Sequence, residues 1–545
     1  MKKVWKAGIA GLAALSIGAA GFIGTTAAFA APVDKVIAVP AVSDGQTAHT
    51  FNVYQIFTGD ISADGNTLSN IQWGAQGSET GSAADAVTAL KALTGSDAAK
   101  AKEIAKYVKK GQDGKFVAPL KTVKSGESIT VPSGYYLLED TTASTGGDAN
   151  NIYIVTVNGD TTITPKNKTV TSSKNVKDKN DTAGTTTDWQ DGADHDINDE
   201  IEYRLVFNLP ANYSDFDSYM LNFVDDMGYG LTYEAGSSKI KVGSGTATAI
   251  DDPTDVTGQH KPGSTTDQYT SSYNHATDTN LKGKVWKWSF ANTKEDNLFA
   301  NAANSAVVEL TYTATLNENA VLGSAGNPNK FHAEYTNDFY NEDSYGTTPD
   351  DVNKVFTYEL SVSKVDKDTN PLYNGAGFTL YKKTTTAAQN NKLPEDAPAG
   401  SIAHDNFVWK PTGAEQKVDK TTNGQAEEGK TNIAHFKGID DGTYLLRETT
   451  TPDGYNTAED VIFTLTADHD TTSADDPTLN SVTTDNTEVT MVEGSMNIAT
   501  LVVNNKGSEL PETGGMGTTM LYVAGGAIVL IAGIGMAVAL RRRQA

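Results

Sequence analysis

The chain has 545 residues, no cysteine and a formal net charge of −25 at pH 7. An acidic surface of this kind repels nucleic acid and anionic lipid, which excludes both as partners, and a chain without cysteine forms no disulfide. The length is too great for one hydrophobic core, so three or four domains are expected.

The N-terminus carries a basic segment, Met1-Lys2-Lys3 with Lys6, followed by an apolar stretch rich in glycine and alanine. Ala28-Phe29-Ala30 fits an A-x-A cleavage site, so residues 1–30 are predicted to be a signal peptide removed between Ala30 and Ala31. The protein is therefore expected to be secreted. The alternative is that this weakly apolar segment remains as a membrane anchor.

Short runs that alternate apolar and polar residues dominate the rest of the chain, with turn-rich segments between them. Residues 201–207 and 307–312 are examples, and period-two alternation is typical of β-sandwiches. We interpret the chain as an all-β protein of tandem immunoglobulin-like sandwiches. Ala83 to Lys110 differs: its apolar residues recur at helical spacing, which predicts one or two helices inserted in the first domain.

An internal repeat sets the expected domain count. Residues 134–142 (GYYLLEDTT) match residues 442–450 (GTYLLRETT). The first and last domains are therefore expected to be variants of one sandwich, separated by a larger middle domain. The predicted segments are 31–167, 168–357 and 358–508, followed by a C-terminal segment, 509–545.

That C-terminal segment has three parts: Leu510-Pro511-Glu512-Thr513-Gly514, an uncharged run over 520–540, and Arg541-Arg542-Arg543. The run is long enough for a transmembrane helix, and the arginines would hold its end in the cytoplasm. In this order the parts resemble the cell-wall sorting signal of Gram-positive surface proteins. The resemblance implies that a sortase cleaves after Thr513 and passes the chain, through a thioester, to an amine.

A second resemblance lies in residues 442–455, which look like the E-box of collagen-adhesin B-type (Cna-B) domains in sortase-assembled pilins. Residues 360–366 resemble the first strand of such a domain, and residues 501–504 its last strand. The resemblance implies an intramolecular isopeptide bond between Lys364 and Asn504, formed beside Glu448. A buried lysine can lose its proton and attack, while a buried acid can donate a hydrogen bond to the asparagine carbonyl.

The middle domain resembles the larger middle domain of the same pilins. Residues 171–178 look like its first strand, residues 223–226 like the strand that carries a catalytic aspartate, and residues 332–337 like its last strand. The resemblance implies Lys174 as nucleophile, Asp225 as acid and Asn337 as acceptor. Lys177 and Asp226 remain rivals.

The first domain departs from this pattern. Asp140 takes the position of Glu448, Lys35 lies at the extreme start of the domain, and Asn158 lacks the expected strand ending. We predict no isopeptide bond in this domain.

An amine acceptor is expected between the first two domains. In the family, a lysine in a motif ending Val-Tyr-Pro-Lys accepts the threonine of the previous subunit. Residues 161–167 (TTITPKN) resemble that motif, with Thr164 in place of tyrosine. Lys166 is therefore the predicted acceptor, and Lys168 is its nearest rival.

Together these features resemble the backbone (major) pilins of Gram-positive sortase-assembled pili. The resemblance implies a structural shaft subunit, not an enzyme, which is polymerised head to tail and supports adhesion from the cell wall. Its partners would be identical subunits, a pilin sortase, minor pilins and peptidoglycan, with host or other extracellular ligands as further candidates.

Two other classes remain: a wall-anchored adhesin acting as a monomer or at a pilus tip, and a wall-anchored hydrolase. No cofactor or metal is predicted, since the common nucleotide and zinc motifs are missing from the sequence. The acidic residues between 188 and 200 lack the offsets of a calcium loop and are predicted to form a solvated loop.

Overall fold

The computed structural model is nearly all β. It describes residues 34–42, 48–61, 68–94, 97–112, 114–142, 152–157, 159–163, 170–262, 264–337, 344–420, 431–472 and 476–506. The strands fall into three groups along the chain, named here the first unit (34–163), the middle unit (170–356) and the C-terminal unit (358–506). The domain limits given above remain a prediction.

The first unit contains two sheets and two helices. Its strands are β1 (Asp34–Ala38), β2 (Thr50–Ile61), β3 (Leu68–Trp73), β4 (Lys121–Lys124), β5 (Ser128–Pro132), β6 (Gly134–Asp140), β7 (Ile152–Val157) and β8 (Thr161–Thr162). One sheet has the order β5-β1-β8, and the other has the order β3-β2-β6-β7 with β4 paired to β2.

The helices α1 (Ala83–Lys91) and α2 (Asp97–Ala105) lie between β3 and β4, within the segment where helical spacing predicted them. Ser82 begins α1, since its side chain accepts a hydrogen bond from the backbone of Asp85 at 3.1 Å. Val87 and Leu90 are buried against the larger sheet, so α1 closes one side of the core.

The middle unit is the largest. Its strands are β9 (Ser172–Val176), β10 (Lys179–Asn180), β11 (Thr185–Thr186), β12 (Gly192–Asp194), β13 (Glu200–Asn208), β14 (Leu221–Met227), β15 (Leu231–Tyr233), β16 (Lys239–Val242), β17 (Thr248–Ala249), β18 (Thr254–Asp255), β19 (Lys284–Phe290), β20 (Val307–Leu316), β21 (Asn327–Thr336), β22 (Tyr345–Thr347) and β23 (Asp351–Phe356). Short 3₁₀ turns cover Tyr213–Asp215, Asn297–Phe299 and Gly323–Ala325.

Two large sheets enclose the core of the middle unit. One has the order β17-β16-β20-β13-β9, and the other has the order β12-β23-β21-β14-β19-β18. The alternating runs 201–207 and 307–312 form β13 and β20, which pair with each other antiparallel. Their apolar positions are buried and the intervening ones are partly or fully exposed, which confirms the period-two interpretation.

The C-terminal unit is a second sandwich. Its strands are β24 (Tyr358–Asp366), β25 (Gly377–Ala387), β26 (Ile402–His404), β27 (Phe407–Pro411), β28 (Gln416–Lys417), β29 (Ile433–Ile439), β30 (Gly442–Thr450), β31 (Val461–His469), β32 (Leu479–Thr484), β33 (Val489–Val492) and β34 (Asn497–Asn504). The sheet orders are β29-β24-β34-β33 and β26-β27-β25-β30-β31-β32.

None of the helices in the described ranges is long and apolar enough to cross a membrane. The predicted transmembrane helix over 520–540 lies outside these ranges, as do the signal peptide over 1–30 and the sorting motif over 510–514. These three predictions stay predictions.

Candidate functional sites: two buried lysine–acid–asparagine sets

The first and last strands of the C-terminal unit lie side by side. β24 and β34 are parallel neighbours, with Lys364 opposite Val502 and Asp366 opposite Asn504. Glu448 lies on β30 in the facing sheet. Lys364, Glu448 and Asn504 are 0, 5 and 1% exposed. The structure therefore brings the three predicted residues together inside the sandwich.

Glu448 contacts both other members of this set. Lys364 Nζ lies 3.6 Å from Glu448 Oε1, and Asn504 Nδ2 donates to the same oxygen at 2.9 Å. The backbone N–H of Ala458 donates to Oε2 at 2.7 Å, which fixes the carboxyl group. Within the described residues, neither Lys364 Nζ nor Asn504 Oδ1 has a hydrogen-bond partner. Each unpartnered buried group costs about 1–3 kcal/mol, so a reaction that joins them is favoured.

The surroundings prepare the amine of Lys364 for attack. Burial lowers its pKa to about 8, although Glu448 acts in the opposite direction. The ring of Phe378 lies 5.9 Å from Nζ and contributes to this apolar wall. A neutral, nucleophilic amine is therefore accessible near neutral pH.

The middle unit encloses a second lysine, Lys174 on β9, which is 0% exposed. Its Nζ contacts the carboxylate of Asp225 and lies 3.0 Å from Tyr312 Oη. The ring centroids of Tyr203 and Tyr312 are 4.9 and 5.4 Å from Nζ. Burial lowers the pKa of Lys174 and raises that of Asp225, and both shifts favour the neutral forms.

The rival residues of this set lie elsewhere. Lys177 pairs with Glu202 at 2.8 Å and its side chain is 28% exposed. Asp226 is on the opposite face of β14, where its carboxylate accepts from Ser271 Oγ at 2.6 Å. Lys174 and Asp225 are therefore the pair that the fold brings into contact.

The prediction of Asn337 as the acceptor is wrong. Asp225 pairs with Phe331, on the antiparallel strand β21, and Asn337 lies six residues further along the chain. At about 3.3 Å per residue, this places Asn337 about 20 Å from the position opposite Asp225. Asn337 is buried, but it lies near the other end of the sandwich.

Two other buried asparagines lie close to Lys174. Asn329 Nδ2 donates at 2.8 Å to Tyr312 Oη, which also contacts Lys174 Nζ. Asn353 Nδ2 donates at 3.3 Å to the backbone oxygen of Lys174. Asn329 and Asn353 are directly opposite each other on β21 and β23, and both Oδ1 atoms lack a partner in the described structure. Asn329 and the amine of Lys174 both contact the hydroxyl group of Tyr312, so Asn329 is the better candidate for the acceptor.

Comparison with known proteins gives one family match, which covers part of the chain. Residues 358–478 match the SpaA family, a prealbumin-like fold domain. This SpaA-like region begins at the first residue of β24 and includes Lys364 and Glu448, while Asn504 lies beyond its end. None of the curated proteins searched matches the chain.

Solved structures with a similar fold include three pilins. The T6 backbone pilin of Streptococcus pyogenes superposes with a TM-score of 0.51 at 18% identity, covering 88% of this chain and 99% of T6. Major pilin SpaD of Corynebacterium diphtheriae gives 0.43 at 16% identity, covering 87% and 97%. Major pilin SpaA of the same organism gives 0.44 at 12% identity, covering 87% and 100%. The match to T6 shows a common fold over most of the chain.

The described residues of the first unit include no equivalent of the lysine set in the SpaA-like region. Asp140, at the position that matches Glu448, pairs with His49 Nδ1 at 2.7 Å, and both side chains are 1% exposed. Among the described residues of the first unit, no lysine is buried, and Lys35 on β1 is partly exposed. This arrangement is consistent with a first unit that lacks an isopeptide bond. Asn158 lies outside the described residues.

The predicted linkage residues also lie outside the described part of the chain. They are Lys166, its rival Lys168, and Leu510, Pro511, Glu512, Thr513 and Gly514. Ala30 and Ala31 of the predicted signal-peptide cleavage site also lie outside the described residues.

The sequence interpretation missed three features. Tyr312 and Asn329 were not singled out, although both occupy inward positions of alternating strands. The acidic run was wrongly predicted to be solvated throughout: Asp191 and Asp194 are 9 and 2% exposed. Gly192 gave a signal, because a Cβ at that position would lie 2.4 Å from the backbone oxygen of Asp470. A glycine inside an acidic run thus marks close packing against another segment.

Proposed function

We propose that this protein is the structural shaft subunit of a covalently polymerised cell-surface pilus. The observation that carries the proposal is that two successive units each bury a lysine beside an acid, with a buried asparagine nearby. The asparagine contacts the acid in the C-terminal unit and the Tyr312 hydroxyl in the middle unit. The fold shared with the T6 backbone pilin supports it. Such sets suit self-formed amide cross-links, which a fibre under load requires and a soluble enzyme does not.

In the C-terminal unit, the neutral amine of Lys364 attacks Cγ of Asn504. The new bond joins Nζ to Cγ, the Cγ–Nδ2 bond breaks, and the Nδ2 amino group leaves as ammonia with the one proton that Nζ releases. Glu448 assists by donating a proton to the amide. A half-turn of the Asn504 amide exchanges Nδ2 and Oδ1, which places the carbonyl oxygen where a protonated Glu448 can donate to it. The strands supply proximity, because both reacting groups are fixed before the reaction.

In the middle unit, the same reaction would join Lys174 to Asn329. Asp225 is the acid and stays beside the amine throughout. Tyr312 contacts the amine, Asp225 Oδ2 and Asn329 Nδ2 at 2.8–3.0 Å, so it positions all three. Lys174 lies in one sheet and Asn329 in the other, so this bond would tie the two sheets together.

Polymerisation would use one residue that follows the C-terminal unit and one that lies between the first and middle units. A sortase would cleave after Thr513 and transfer the chain to the amine of Lys166 on the next copy. A subunit with a donor at one end and an acceptor near the other adds head to tail, and such contacts form an open filament. The last subunit would be transferred to peptidoglycan, and the pilus would support adhesion from the wall.

The test is whether the subunits form a ladder of covalent multimers. Cells that produce the chain with its sortase should show high-mass multimers on denaturing gels of wall extracts, and Lys166→Ala should reduce them to single subunits. Lys168→Ala is the matched control and should leave the ladder intact. Single subunits from the unaltered chain would instead favour a monomeric or tip adhesin.

A further inference from the structure

The middle and C-terminal units meet in a tightly bonded contact, named here the joint and made by residues 178–199 and 323–326 against residues 438–443, 469–471 and 495–497. Three backbone hydrogen bonds cross it: Asp191 N to Thr471 O at 3.0 Å, Ile197 N to Gly438 O at 3.0 Å, and Ser324 N to Ser495 O at 3.1 Å. Gly438 has φ of 76°, and a Cβ there would lie 2.2 Å from Ile197 Cδ1. The two backbones thus approach as closely as they do within a unit.

Carboxylates of the middle unit hold a loop of the C-terminal unit. Asp196 Oδ1 accepts from the backbone N–H of Asp440 at 3.0 Å, and Asp194 Oδ2 accepts from that of Asp441 at 2.9 Å. The loop that donates these hydrogen bonds carries two carboxylates of its own, Asp440 and Asp441. Asp194 and Asp440 are 2 and 0% exposed. Four acidic side chains therefore meet at one buried point.

The joint contains few positive groups to balance this charge. Lys382 Nζ contacts Asp440 and lies 2.8 Å from Asp196 Oδ2, and Tyr444 Oη donates to Asp440 Oδ1 at 3.1 Å. His469 Nε2 lies 3.3 Å from Asp178 Oδ2 and 3.9 Å from Asp194 Oδ1. The titratable groups that face Asp194 from the surrounding elements are Asp178, His195, Tyr358, Asp440, Asp441 and His469.

The buried carboxyl groups of the joint bind protons more tightly than exposed carboxyl groups do. Burial raises the pKa of Asp194 to about 7 and that of Asp440 well above its usual value, and it also raises the pKa values of Asp196 and Asp441. Burial opposes the charged form of His469, but the neighbouring Asp178 and Asp194 outweigh it and raise its pKa.

Two groups at the edge of the cluster affect each other. Burial also opposes the charged form of His195, yet Asp199 raises its pKa, whereas the pKa of Asp199 is lowered because His195 outweighs its burial. Asp199 thus opposes the trend, but the cluster as a whole binds more protons when docked.

We propose that the joint is a proton-dependent lock, which holds the middle and C-terminal units in one fixed arrangement in mild acid and loosens as the solution becomes alkaline. A group whose pKa is raised on docking contributes stability that is fully present below its undocked pKa and is lost as pH rises to its docked pKa. For the carboxyl groups this window runs from about pH 4 to about pH 7. For His469, whose pKa is raised by Asp178 and Asp194 across the joint, it begins near about pH 6.5. Both windows have the same sign, opposite to ordinary acid denaturation.

The lock can be tested by hydrogen exchange on the intact secreted chain, followed by mass spectrometry between pH 5.5 and 8. Protection factors, corrected for the intrinsic effect of pH, are compared for the amides of Asp191, Ile197 and Asp441, which cross the joint, and for those of Leu205 and Leu380, which lie inside the two sandwiches. Each net proton taken up changes the docking equilibrium about tenfold per pH unit. We expect protection across the joint to fall at least about tenfold from pH 6 to 8, and that of the internal amides to stay constant.

Variants separate this effect from a general loss of stability. Asp194→Asn keeps a side-chain oxygen for the Asp441 amide but cannot ionise, so it should give higher protection at pH 8 and a shallower pH dependence. Should it fail to fold, His469→Gln removes a different titrating group and should also reduce the slope. Asp476→Asn is the matched control: it breaks the Lys354–Asp476 pair in the same contact, where Asp476 is 66% exposed, and should leave the slope unchanged.

Three results would overturn the proposal. The first is protection of the amides across the joint that stays constant or rises with pH. The second is a pH dependence of this protection that is unaltered in both Asp194→Asn and His469→Gln. The third is protection at pH 8 that EDTA lowers and that zinc or calcium restores. The last result would mean that a bound cation balances the carboxylates instead of protons.

Discussion

Glu448→Gln should leave the C-terminal unit without its cross-link while hardly changing its shape. Glutamine has the same size, and its side-chain oxygen can still accept from the Ala458 N–H that holds Glu448 at 2.7 Å. It cannot supply a proton to the Asn504 amide and take one back, so the bond between Lys364 and Asn504 should not form.

The cost in stability follows from the size of the closed loop. A bond between Lys364 and Asn504 closes roughly 140 residues, and the chain-entropy relation used for disulfides gives about 5 kcal/mol for such a loop. For a unit of this size, 1 kcal/mol corresponds to about 2–4 °C in melting temperature, so the transition of the C-terminal unit should fall by about 10–20 °C.

Two measurements check this reasoning. The intact mass of the unaltered chain should be two ammonia molecules below the sequence mass, and that of Glu448→Gln only one; calorimetry should show the lowered transition. Glu415→Gln is the control. Glu415 accepts hydrogen bonds at 2.8 and 2.5 Å from the hydroxyl groups of Thr449 and Thr450, which lie on β30 as Glu448 does, but Glu415 itself lies outside the core. If Glu448→Gln keeps both losses, the role assigned to Glu448 is wrong.

Two further predictions concern the other buried groups. Asn329→Ala should prevent the middle unit from forming its cross-link and so from losing ammonia, whereas Asn337→Ala should leave this loss unchanged. The intact mass of each variant measures it. If the loss disappears only in Asn353→Ala, the acceptor is Asn353. His49→Ala should destabilise the first unit by about 1–3 kcal/mol, since it removes the Nδ1 partner of the buried Asp140 side chain; thermal unfolding should show the transition of the first unit lowered, while Lys109→Ala, which breaks an exposed pair with Glu79, should leave it within about 0.5 kcal/mol.

The sequence predicted that Lys364, Glu448 and Asn504 lie together. It could do so because each of them lies on a strand whose position in the fold follows from the resemblance. It failed for Asn337 because strand alternation cannot separate the candidates. Asn329 and Phe331 lie on β21, and Asn337 follows its last residue with the same parity, so alternation alone would assign all three to the same side. What distinguishes them is the position along the strand, which depends on the register with β14, a long-range property.

The joint was beyond sequence interpretation for a related reason. Its carboxylates come from segments more than 200 residues apart, and each segment alone is a polar, turn-rich stretch. Alternation predicts which face of a strand is buried within its own sandwich. It does not predict that the edge of one sandwich, including Asp194, is covered by a loop of the next.

The side-by-side arrangement of β24 and β34 has a consequence for extensibility. A pull applied at Tyr358 and at the residues after Asn504 would cross from Lys364 directly to Asn504, so the intervening segment would lie outside the load path. Were that segment free to unravel, it would add on the order of 450 Å of contour length per copy at about 3.3 Å per residue. With the amide in place, a long fibre would transmit a shear force to the cell almost without lengthening or dissipating energy.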